Sequence, residues 1–267
     1  MRIIVCIKQV PSTNEVRLHP VHNTIMRDGR QSVTNPFDTY ATEQAIQIKE
    51  QQNGEVIALS MGIPATERLL RDAVSRGVDR SMLLSDPKFA GADTLATAYT
   101  LSLGIREIGD FDLILCGKMA VDGDTAQIGP ELAENLGIPH ITDVCEFMRV
   151  SKAEIVCKKI TDYGHQILKV KLPALITVVK DINMPRLPSI EGVLSSLSAP
   201  FEIRNANVLK ADEQRIGLTG SPTQVVKTYV PQRQREAIEL QGDEERQAEL
   251  IGKLLGEVLE NDRIKNR

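Results

Sequence analysis

Apolar segments of strand length alternate with segments of helical spacing through the first half of the chain. Four nearly continuous apolar runs are typical of strands in a sheet covered on both faces: residues 2–7, 55–61, 81–84 and 112–116. Between them, apolar residues recurring every three or four positions predict helices from residue 36, over about 64–76 and from residue 94. Right-handed crossovers make this alternation a doubly wound, mostly parallel α/β sheet, with the run 2–7 as its central strand.

After residue 139 the pattern changes to shorter strands. The segments 144–150, 154–160 and 166–171 are separated by turn signals, which predicts an antiparallel addition to the sheet. Residues 175–179 predict one more buried strand. Earlier in the chain, the polar segment 12–34 predicts an excursion that contains a short hairpin.

The last third of the chain is less regular. The segment 184–192 carries two prolines and is predicted to be an exposed loop. Residues 196–242 show few periodic signals and are predicted to form an arm that lies on another chain. Asp243 then caps a predicted helix. An apolar stripe on that helix must dock on a surface, and it consists of Ala248, Ile251, Leu254, Leu255 and Val258. We therefore expect an α/β domain at 1–195 and a C-terminal arm with a helix at 196–267.

Composition narrows the classes of function. Of the 267 residues, 42% are hydrophobic and 25% are charged, as in ordinary globular proteins. A net charge of −4 and few aromatic residues argue against a nucleic-acid partner. No apolar run approaches the length of a membrane span, and the apolar start is better explained as a strand than as a signal peptide, so we expect a cytoplasmic location without membrane insertion.

Cysteine and histidine spacing predicts no metal site. The four cysteines contain no CxxC pair and lie at positions 6, 116, 145 and 157. Cys6 and Cys116 fall in predicted core strands and are expected to be small buried groups. The histidines form no cluster with ligand spacing, and His19 and His22 share a polar loop that suits solvation better than metal binding.

A glycine-rich loop follows the strand 112–116 and leads into a helix. Its sequence is Gly117-Lys-Met-Ala-Val-Asp-Gly-Asp-Thr-Ala-Gln-Ile-Gly-Pro130. The glycines at 117, 123 and 129 allow the backbone to approach a ligand, and unpaired amides at the helix start can face a diphosphate. A turn without a ligand is the alternative explanation of the same composition.

Side chains in and around this loop fit a nucleotide. Thr125 and Gln127 can donate hydrogen bonds to a phosphate, whereas Asp122 and Asp124 repel it and suit ribose hydroxyls or backbone amides. Ligands of doubly wound sheets bind at the carboxyl ends of strands, so the loops after the first, second and fourth predicted strands are expected to converge. The segment Asn35-Pro-Phe-Asp38 opens a helix with a cap, a proline at the first helical position and an acidic first turn.

Four segments together resemble one family in order and spacing. They are Lys8-Gln-Val-Pro11, Asn35-Pro-Phe-Asp38 with Glu43 and Ala45, the loop 117–130, and Ile216-Gly-Leu-Thr-Gly-Ser-Pro-Thr223. This combination resembles the β (small) subunit of electron-transfer flavoproteins, over nearly the whole chain. The resemblance implies a Rossmann-like domain of the adenine-nucleotide-binding type, an arm that wraps an α subunit, and a redox flavin held mainly by α.

The resemblance also implies a set of nucleotide contacts and no catalytic side chain. By position, the family's contacts correspond to Cys6, Asn35, Pro36, Phe37, Asp38, Met61, Gly117, Lys118, Met119, Ala120, Val121, Asp122, Gly123, Asp124, Thr125, Ala126, Gln127 and Ile128. In ordinary members these residues hold a structural AMP. The chain would then serve electron transport only as part of a multi-subunit oxidoreductase complex.

The version of the loop is similar to that of the electron-bifurcating group. Both 122–130 and Asp93-Thr-Leu-Ala-Thr97 carry this similarity. In that group the β subunit binds a second FAD, which takes a hydride from NADH and divides the electrons between ferredoxin and, through the α flavin, a dehydrogenase. Thr94 and Thr97 lie one helical turn apart and would meet the pyrophosphate, although a plain capping turn explains them equally. The same fold with AMP and no NADH chemistry is the alternative.

The segment 184–192 matches the family's recognition loop, with Ile190 at the position of the apolar anchor that inserts into a partner dehydrogenase. The following residues, 193–198, depart from the lysine-rich continuation of many acyl-CoA-dehydrogenase partners. An acyl-CoA dehydrogenase and a lactate-type 2-hydroxy-acid dehydrogenase therefore both stay open as partners.

Two other classes of protein compete with this interpretation. An adenylating enzyme of the same broad fold would need a Ser-Gly-Gly-type loop after the first strand, and Lys8-Gln-Val-Pro11 has no such glycine pair. A stand-alone nucleotide-sensing module would leave the arm and the terminal stripe without a surface to cover.

Overall fold

The computed structural model describes residues 1–12, 32–226 and 239–265, with the side chains of the last helix described up to residue 256. The chain divides into two compact units, with boundaries at Met1–Val226 and Lys227–Arg267. Most of the predicted excursion at 12–34, including its hairpin, His19 and His22, lies outside the described residues. The same is true of the Val258 side chain.

The strands, in chain order, are β1 (Arg2–Cys6), β2 (Gln9–Pro11), β3 (Ser32–Thr34), β4 (Glu55–Met61), β5 (Arg80–Leu84), β6 (Leu113–Gly117), β7 (His140–Val150), β8 (Glu154–Thr161), β9 (Gly164–Lys171), β10 (Ala174–Val178) and β11 (Phe201–Arg204). The helices are α1 (Pro36–Gln52), α2 (Glu67–Ser75), α3 (Thr94–Ile108), α4 (Ile128–Leu136), α5 (Ile190–Ser196) and α6 (Glu244–Lys265).

One large sheet has the strand order β11-β5-β4-β1-β6-β10-β7-β8-β9. Its pairs are parallel from β11 to β7, and β8 and β9 continue the sheet in antiparallel fashion. This arrangement confirms the predicted doubly wound α/β sheet with an antiparallel addition. The short strands β2 and β3 pair separately.

Helices cover both faces of the parallel strands, and this explains why the four residues of β1 after Arg2 are all apolar. Ile3 and Val5 pack on the face that α1 and α2 cover, whereas Ile4 and Cys6 pack on the opposite face with α3 and α4. All four side chains are buried, because successive strand residues point to opposite faces. Burial on both sides is the reason that no polar alternation marks these strands.

The predicted loop at 184–192 is in part a helix. The structure begins α5 at Ile190, and the Ser189 hydroxyl accepts a hydrogen bond from the Gly192 amide at 2.9 Å. This capping bond satisfies an amide at the start of the helix, so the prolines at 185 and 188 precede the helix rather than prevent it.

Part of the predicted arm packs on the α/β domain. Strand β11 pairs in parallel with β5, and Ala206, Leu209 and Ile216 are buried in the core shared with α3. The unit Met1–Val226 therefore extends past the boundary expected after residue 195. Residues 201–204 are too few to show a clear strand pattern, which is why the sequence missed β11.

The C-terminal unit contains α6, and the predicted cap is confirmed. Asp243 accepts a hydrogen bond from the Arg246 amide at 3.0 Å through its side chain. Ile251, Leu254 and Leu255 are 46%, 40% and 58% exposed, so much of the predicted stripe is open. None of the helices in the described ranges has the length and apolar character needed to cross a membrane.

Candidate nucleotide-binding site

The strand order reverses at β1, which lies between β4 and β6. In doubly wound sheets, a crevice for ligands forms at this point, outside the carboxyl ends of the strands. The residues that follow β1 and β6 are Ile7-Lys8 and the loop that starts at Gly117, so the predicted glycine-rich loop stands at the reversal point. Met61 ends β4, the neighbour of β1, and is half-buried at the same edge.

The first turn of α1 holds these two loops together. Asn35 is 1% exposed; its side-chain amide donates to the Met119 carbonyl at 2.9 Å, and its oxygen accepts from the Val121 amide at 3.2 Å. The predicted side-chain cap by Asn35 is therefore wrong. Its backbone carbonyl accepts from the Asp38 and Thr39 amides, and its side chain supports the glycine-rich loop instead.

Asp38 joins the β1 and β6 loops directly. Its carboxylate accepts hydrogen bonds from the Lys8 amide at 2.8 Å and the Gly117 amide at 3.2 Å. Burial raises the pKa of Asp38 to about 7, although these amides, Asn35 and the Lys8 charge act in the opposite direction. The acidic first turn thus has a tertiary role, in addition to any effect on the helix dipole.

The thiols of Cys6 and Cys116 are 8% and 5% exposed, which confirms that both are buried. A hydrogen bond between its thiol and Cys6, burial and nearby negative charge raise the pKa of Cys116 far above its usual value. Because a thiol reacts as its thiolate, the raised pKa and the burial of Cys116 disfavour a role as a nucleophile. Cys116 is the penultimate residue of β6, and its side chain packs with Cys6 in the core that α3 and α4 cover.

The second half of the loop presents free backbone amides. Among the described residues, none accepts a hydrogen bond from the amides of Thr125, Ala126 or Gln127, and the first two amides of α4 have no acceptor either. Asp124 and Ala126 have φ values of 50° and 54°. Amides that converge through left-handed residues form concave sites that attract anions.

The three glycines of the loop differ in what they accommodate. A Cβ atom at Gly123 would meet nothing within 4 Å, so this glycine leaves open space beside the loop. A Cβ at Gly117 would lie 2.5 Å from Asp38 Oδ1, and one at Gly129 would lie 2.4 Å from Thr177 Cγ2. These two glycines are therefore required by packing inside the protein, and only Gly123 fits the predicted role of ligand approach.

Two ion pairs involve the loop, and one of them partly neutralises Asp122. Lys8 Nζ lies 2.5 Å from Asp122 Oδ1, and Lys118 Nζ lies 2.8 Å from Asp143 Oδ1. The Asp122 carboxylate thus closes the β1 loop onto the glycine-rich loop. This pairing weakens the repulsion that Asp122 would exert on a phosphate.

The start of α3 lies beside the start of α4. Thr94 Oγ1 is 3.1 Å from Glu131 Oε1 and 3.3 Å from Gln127 Oε1, so its hydroxyl donates to one of these oxygens. Thr97 is half-buried one turn later, and its amide donates to the Asp93 carbonyl. The structure therefore brings the predicted Thr94 to the glycine-rich loop, as the convergence of loops requires.

Three residues near this point were missed by sequence reasoning. Burial raises the pKa of Glu131, the hydrogen bond from Thr94 opposes this, and the Asp93 charge adds to it; Glu131 Oε2 has no hydrogen-bond partner among the described residues. Ser221 Oγ accepts from the Asp93 amide at 2.8 Å, and the Thr223 hydroxyl donates to Asp93 Oδ2 at 2.8 Å. The Gly-Ser-Pro-Thr motif was the only sequence signal for Ser221 and Thr223, and it did not indicate that they contact Asp93. No group of metal-binding side chains occurs in the ranges that the structure covers.

The reversed strand order and the open loop place the chain in the Rossmann-like class of α/β proteins. Residues 23–209 match the family model described as electron transfer flavoprotein domain. The chain belongs to this family, among its β subunits.

Relatives extend the match over most of the chain. The electron transfer flavoprotein subunit beta of Thermoanaerobacterium thermosaccharolyticum is 44% identical over 236 residues, covering 88% of this chain and 90% of that protein. The caffeyl-CoA reductase-Etf complex subunit CarD of Acetobacterium woodii is 42% identical over 232 residues, with 86% and 88% covered. Protein FixA of Azorhizobium caulinodans is 40% identical over 243 residues, with 88% and 86% covered.

Proposed function

We propose that this β subunit binds FAD at the loop Gly117–Ile128 and works with an α subunit in electron bifurcation. When bound, this FAD would accept a hydride from NADH and divide the electrons between ferredoxin and, through the α-subunit FAD, a partner flavin dehydrogenase of the acyl-CoA or lactate type. The proposal also includes a cytoplasmic location. It excludes a structural AMP at this loop, because FAD would occupy the same site.

The proximity of two helix starts favours a dinucleotide over AMP as the ligand. The free amides of 125–129 lie at the start of α4, and Thr94 places the start of α3 next to them. Each helix start attracts negative charge, so two of them together suit the two phosphates of FAD better than the single phosphate of AMP. The open space at Gly123 allows the ligand to approach the backbone.

Two carboxyl groups, those of Glu131 and Asp93, lie close to the proposed diphosphate. Their negative charge would repel the phosphates. Burial raises the pKa of Glu131, and its carboxyl oxygen Oε1 lies 3.1 Å from the Thr94 hydroxyl oxygen. Asp93 is engaged by the Ala96 and Thr223 amides and the Thr223 hydroxyl, so its charge is directed toward donors. The acidic residues of the site therefore do not oppose an anionic ligand as strongly as their number suggests.

We assign no catalytic acid or base to this chain. The flavin supplies the redox chemistry, and the protein supplies orientation and electrostatics. Asn35 and Asp38 fix the loop through their hydrogen bonds, and Thr94, Thr97, Thr125 and Gln127 offer side chains to the ligand. Cys6, Pro36, Phe37 and Met61 complete the proposed contacts at the sheet edge.

Two exposed apolar surfaces among the described residues are candidate contacts for protein partners. Ile190 is 85% exposed at the start of α5, which fits an anchor for a dehydrogenase. The stripe on α6 fits the α subunit, because an exposed apolar face needs a cover. The printed name of CarD, a subunit of a caffeyl-CoA reductase-Etf complex, supports the idea of a dehydrogenase or reductase partner.

The test is to reconstitute the α/β pair, count the flavins and add NADH. We expect two FAD per heterodimer and loss of flavin absorbance when NADH is added. One FAD with AMP and no response to NADH would overturn the bifurcating function and support the AMP-binding alternative.

A further inference from the structure

One guanidinium fastens the loop 183–189 to α1. Arg186 Nε donates to Glu43 Oε2 at 2.9 Å, and its two terminal nitrogens bond to Glu50 at 2.6 and 3.0 Å. A terminal nitrogen also reaches Glu43 Oε1 at 3.1 Å. The backbone amide of Arg186 donates to Glu43 as well, at 3.1 Å. Both the side chain and the backbone of Arg186 are thereby fixed on one helix.

Glu43 makes this contact strong because it is only 5% exposed. Burial alone would raise the pKa of Glu43, but the hydrogen bonds and charge of Arg186 outweigh it and hold the pKa below its usual value. A buried carboxylate that loses its counter-charge is costly, so Arg186 has little freedom to leave. Planar guanidinium geometry suits this double contact better than an ammonium group does.

Further bonds hold the start and the middle of the loop. The Asn183 side-chain amide donates to the Tyr40 carbonyl at 3.1 Å, and Arg76 donates to the Arg186 carbonyl at 2.6 Å. At the start of α5, a Cβ on Gly192 would lie 2.1 Å from the Ser75 carbonyl oxygen, which shows how closely α5 approaches α2. The loop backbone is thus attached on α1 and α2.

The same loop points its apolar side chains outward. Met184, Leu187 and Ile190 are 88%, 84% and 85% exposed, while Arg186 between them faces the protein. This pattern reverses the usual one, in which charges face solvent and apolar groups face the core. A polar attachment keeps an apolar surface in one conformation before any partner arrives.

We infer that Arg186 is a positioning residue for dehydrogenase docking: its clamp on Glu43 and Glu50 preorders the loop that presents Met184, Leu187 and Ile190. Preordering lowers the entropy cost of binding, so loss of the clamp weakens docking without removing a contact to the partner. Helix α1 also carries Asp38 and follows directly on Asn35, so one element supports both the nucleotide loop and the docking loop. The inference rests on the proposed function for the identity of the partner class.

The first measurement is hydrogen exchange on the α/β complex, which needs no dehydrogenase. In Arg186→Gln, we expect amides of 183–192 to exchange at least tenfold faster, with amides of 117–128 unchanged. The matched control is Arg149→Gln, which breaks an exposed pair with Glu154 on β7 and β8 and leaves both regions unchanged. Unchanged exchange at 183–192 in Arg186→Gln overturns the inference.

The second measurement is steady-state turnover with purified acyl-CoA and lactate-type dehydrogenases as probes. With the probe that wild type reduces, Arg186→Gln should raise KM for the dehydrogenase five- to twentyfold with kcat within twofold, and Arg186→Lys should recover part of the loss. Glu43→Gln combined with Arg186→Gln removes the unpaired buried carboxylate, so it folds and still shows the raised KM.

The outcomes separate this inference from the proposed function. A normal KM in the double variant, despite fast exchange of the loop, overturns the role in docking. If neither probe accepts electrons from wild type, the proposed partner class is wrong, and exchange at 183–192 alone then decides whether Arg186 orders the loop.

Discussion

Asp38 is the residue on which the two nucleotide loops meet. Its carboxylate binds the Lys8 and Gly117 amides, which are far apart in sequence, and it does so while only 6% exposed. Sequence reasoning found Asn35 and Asp38 as helix-start residues, because caps are local signals. It could not find their true partners, since those partners depend on how β1 and β6 lie side by side.

The raised pKa of Asp38 predicts a pH dependence of stability. The pKa is about 7 in the folded chain against an ordinary 3.8, so the folded state holds an extra proton between about pH 4 and 7. The contribution of Asp38 to stability is therefore fully present below about pH 4 and is lost as pH rises to 7, by up to about 4 kcal/mol at about 1.4 kcal/mol per pKa unit. Thermal denaturation of the α/β complex across this range measures it. Asp38→Asn should lose the dependence, and equal pH slopes in wild type and variant would contradict the assignment.

Gly123 predicts a change in ligand binding without a change in folding. Because a Cβ there meets nothing within 4 Å, Gly123→Trp should fold normally and fill the space that the nucleotide needs. We expect the complex to lose one FAD and keep the α flavin, as measured by flavin content. Gly123→Ala is the matched control and should keep both. Full flavin content in the Trp variant would count against the loop as the site.

Gly129 predicts the opposite behaviour. Its Cβ would lie 2.4 Å from Thr177 Cγ2, where α4 packs on β10. Gly129→Val should therefore overpack the interface and cost about 1 to 3 kcal/mol of stability. The denaturation midpoint of the complex measures this, and a midpoint equal to that of wild type would show that the packing argument is wrong.

At the scale of elements, the long buried strands and amphipathic helices were predictable and the short ones were not. Strands β1, β4 and β6 are apolar over most of their length because helices cover both faces, and this pattern is visible in the sequence. Strands β2, β3 and β11 have three or four residues, too few for a periodic signal. Helix α5 depends on a single Ser189 cap, which the neighbouring prolines obscured.

The start of α3 predicts that one residue affects both stability and FAD retention. Asp93 caps the helix through the Ala96 amide and also binds Thr223, so it joins α3 to the Gly-Ser-Pro-Thr segment. Asp93→Ala should lower stability by about 1 to 2 kcal/mol and weaken FAD retention, because Thr94 is displaced. Asp243→Ala removes a similar cap from α6 and should keep FAD. Equal FAD retention in the two variants would show that Asp93 does not support FAD binding.

At the scale of the whole molecule, the chain consists of an α/β unit and a separate C-terminal helix with an open apolar stripe. The stripe predicts that Leu254→Asp weakens binding of the α subunit by at least tenfold, since a charge would enter the apolar contact. Titration of the two subunits measures the affinity. Lys253→Gln changes the charge equally and lies on the other side of the helix, so it should bind normally. Equal affinity of both variants would exclude the stripe from the interface.

The proposed function depends most on one contact, in which the backbone amides of 125–129 hold the diphosphate of a dinucleotide. A density map of the α/β complex prepared with FAD tests it directly. We predict two phosphate groups within about 3 Å of these amides, the distance of an N–H···O bond. The dinucleotide should lie in the crevice where the strand order reverses at β1. A single phosphate of AMP at the loop, or a dinucleotide bound elsewhere with the loop filled by its own side chains, would contradict it.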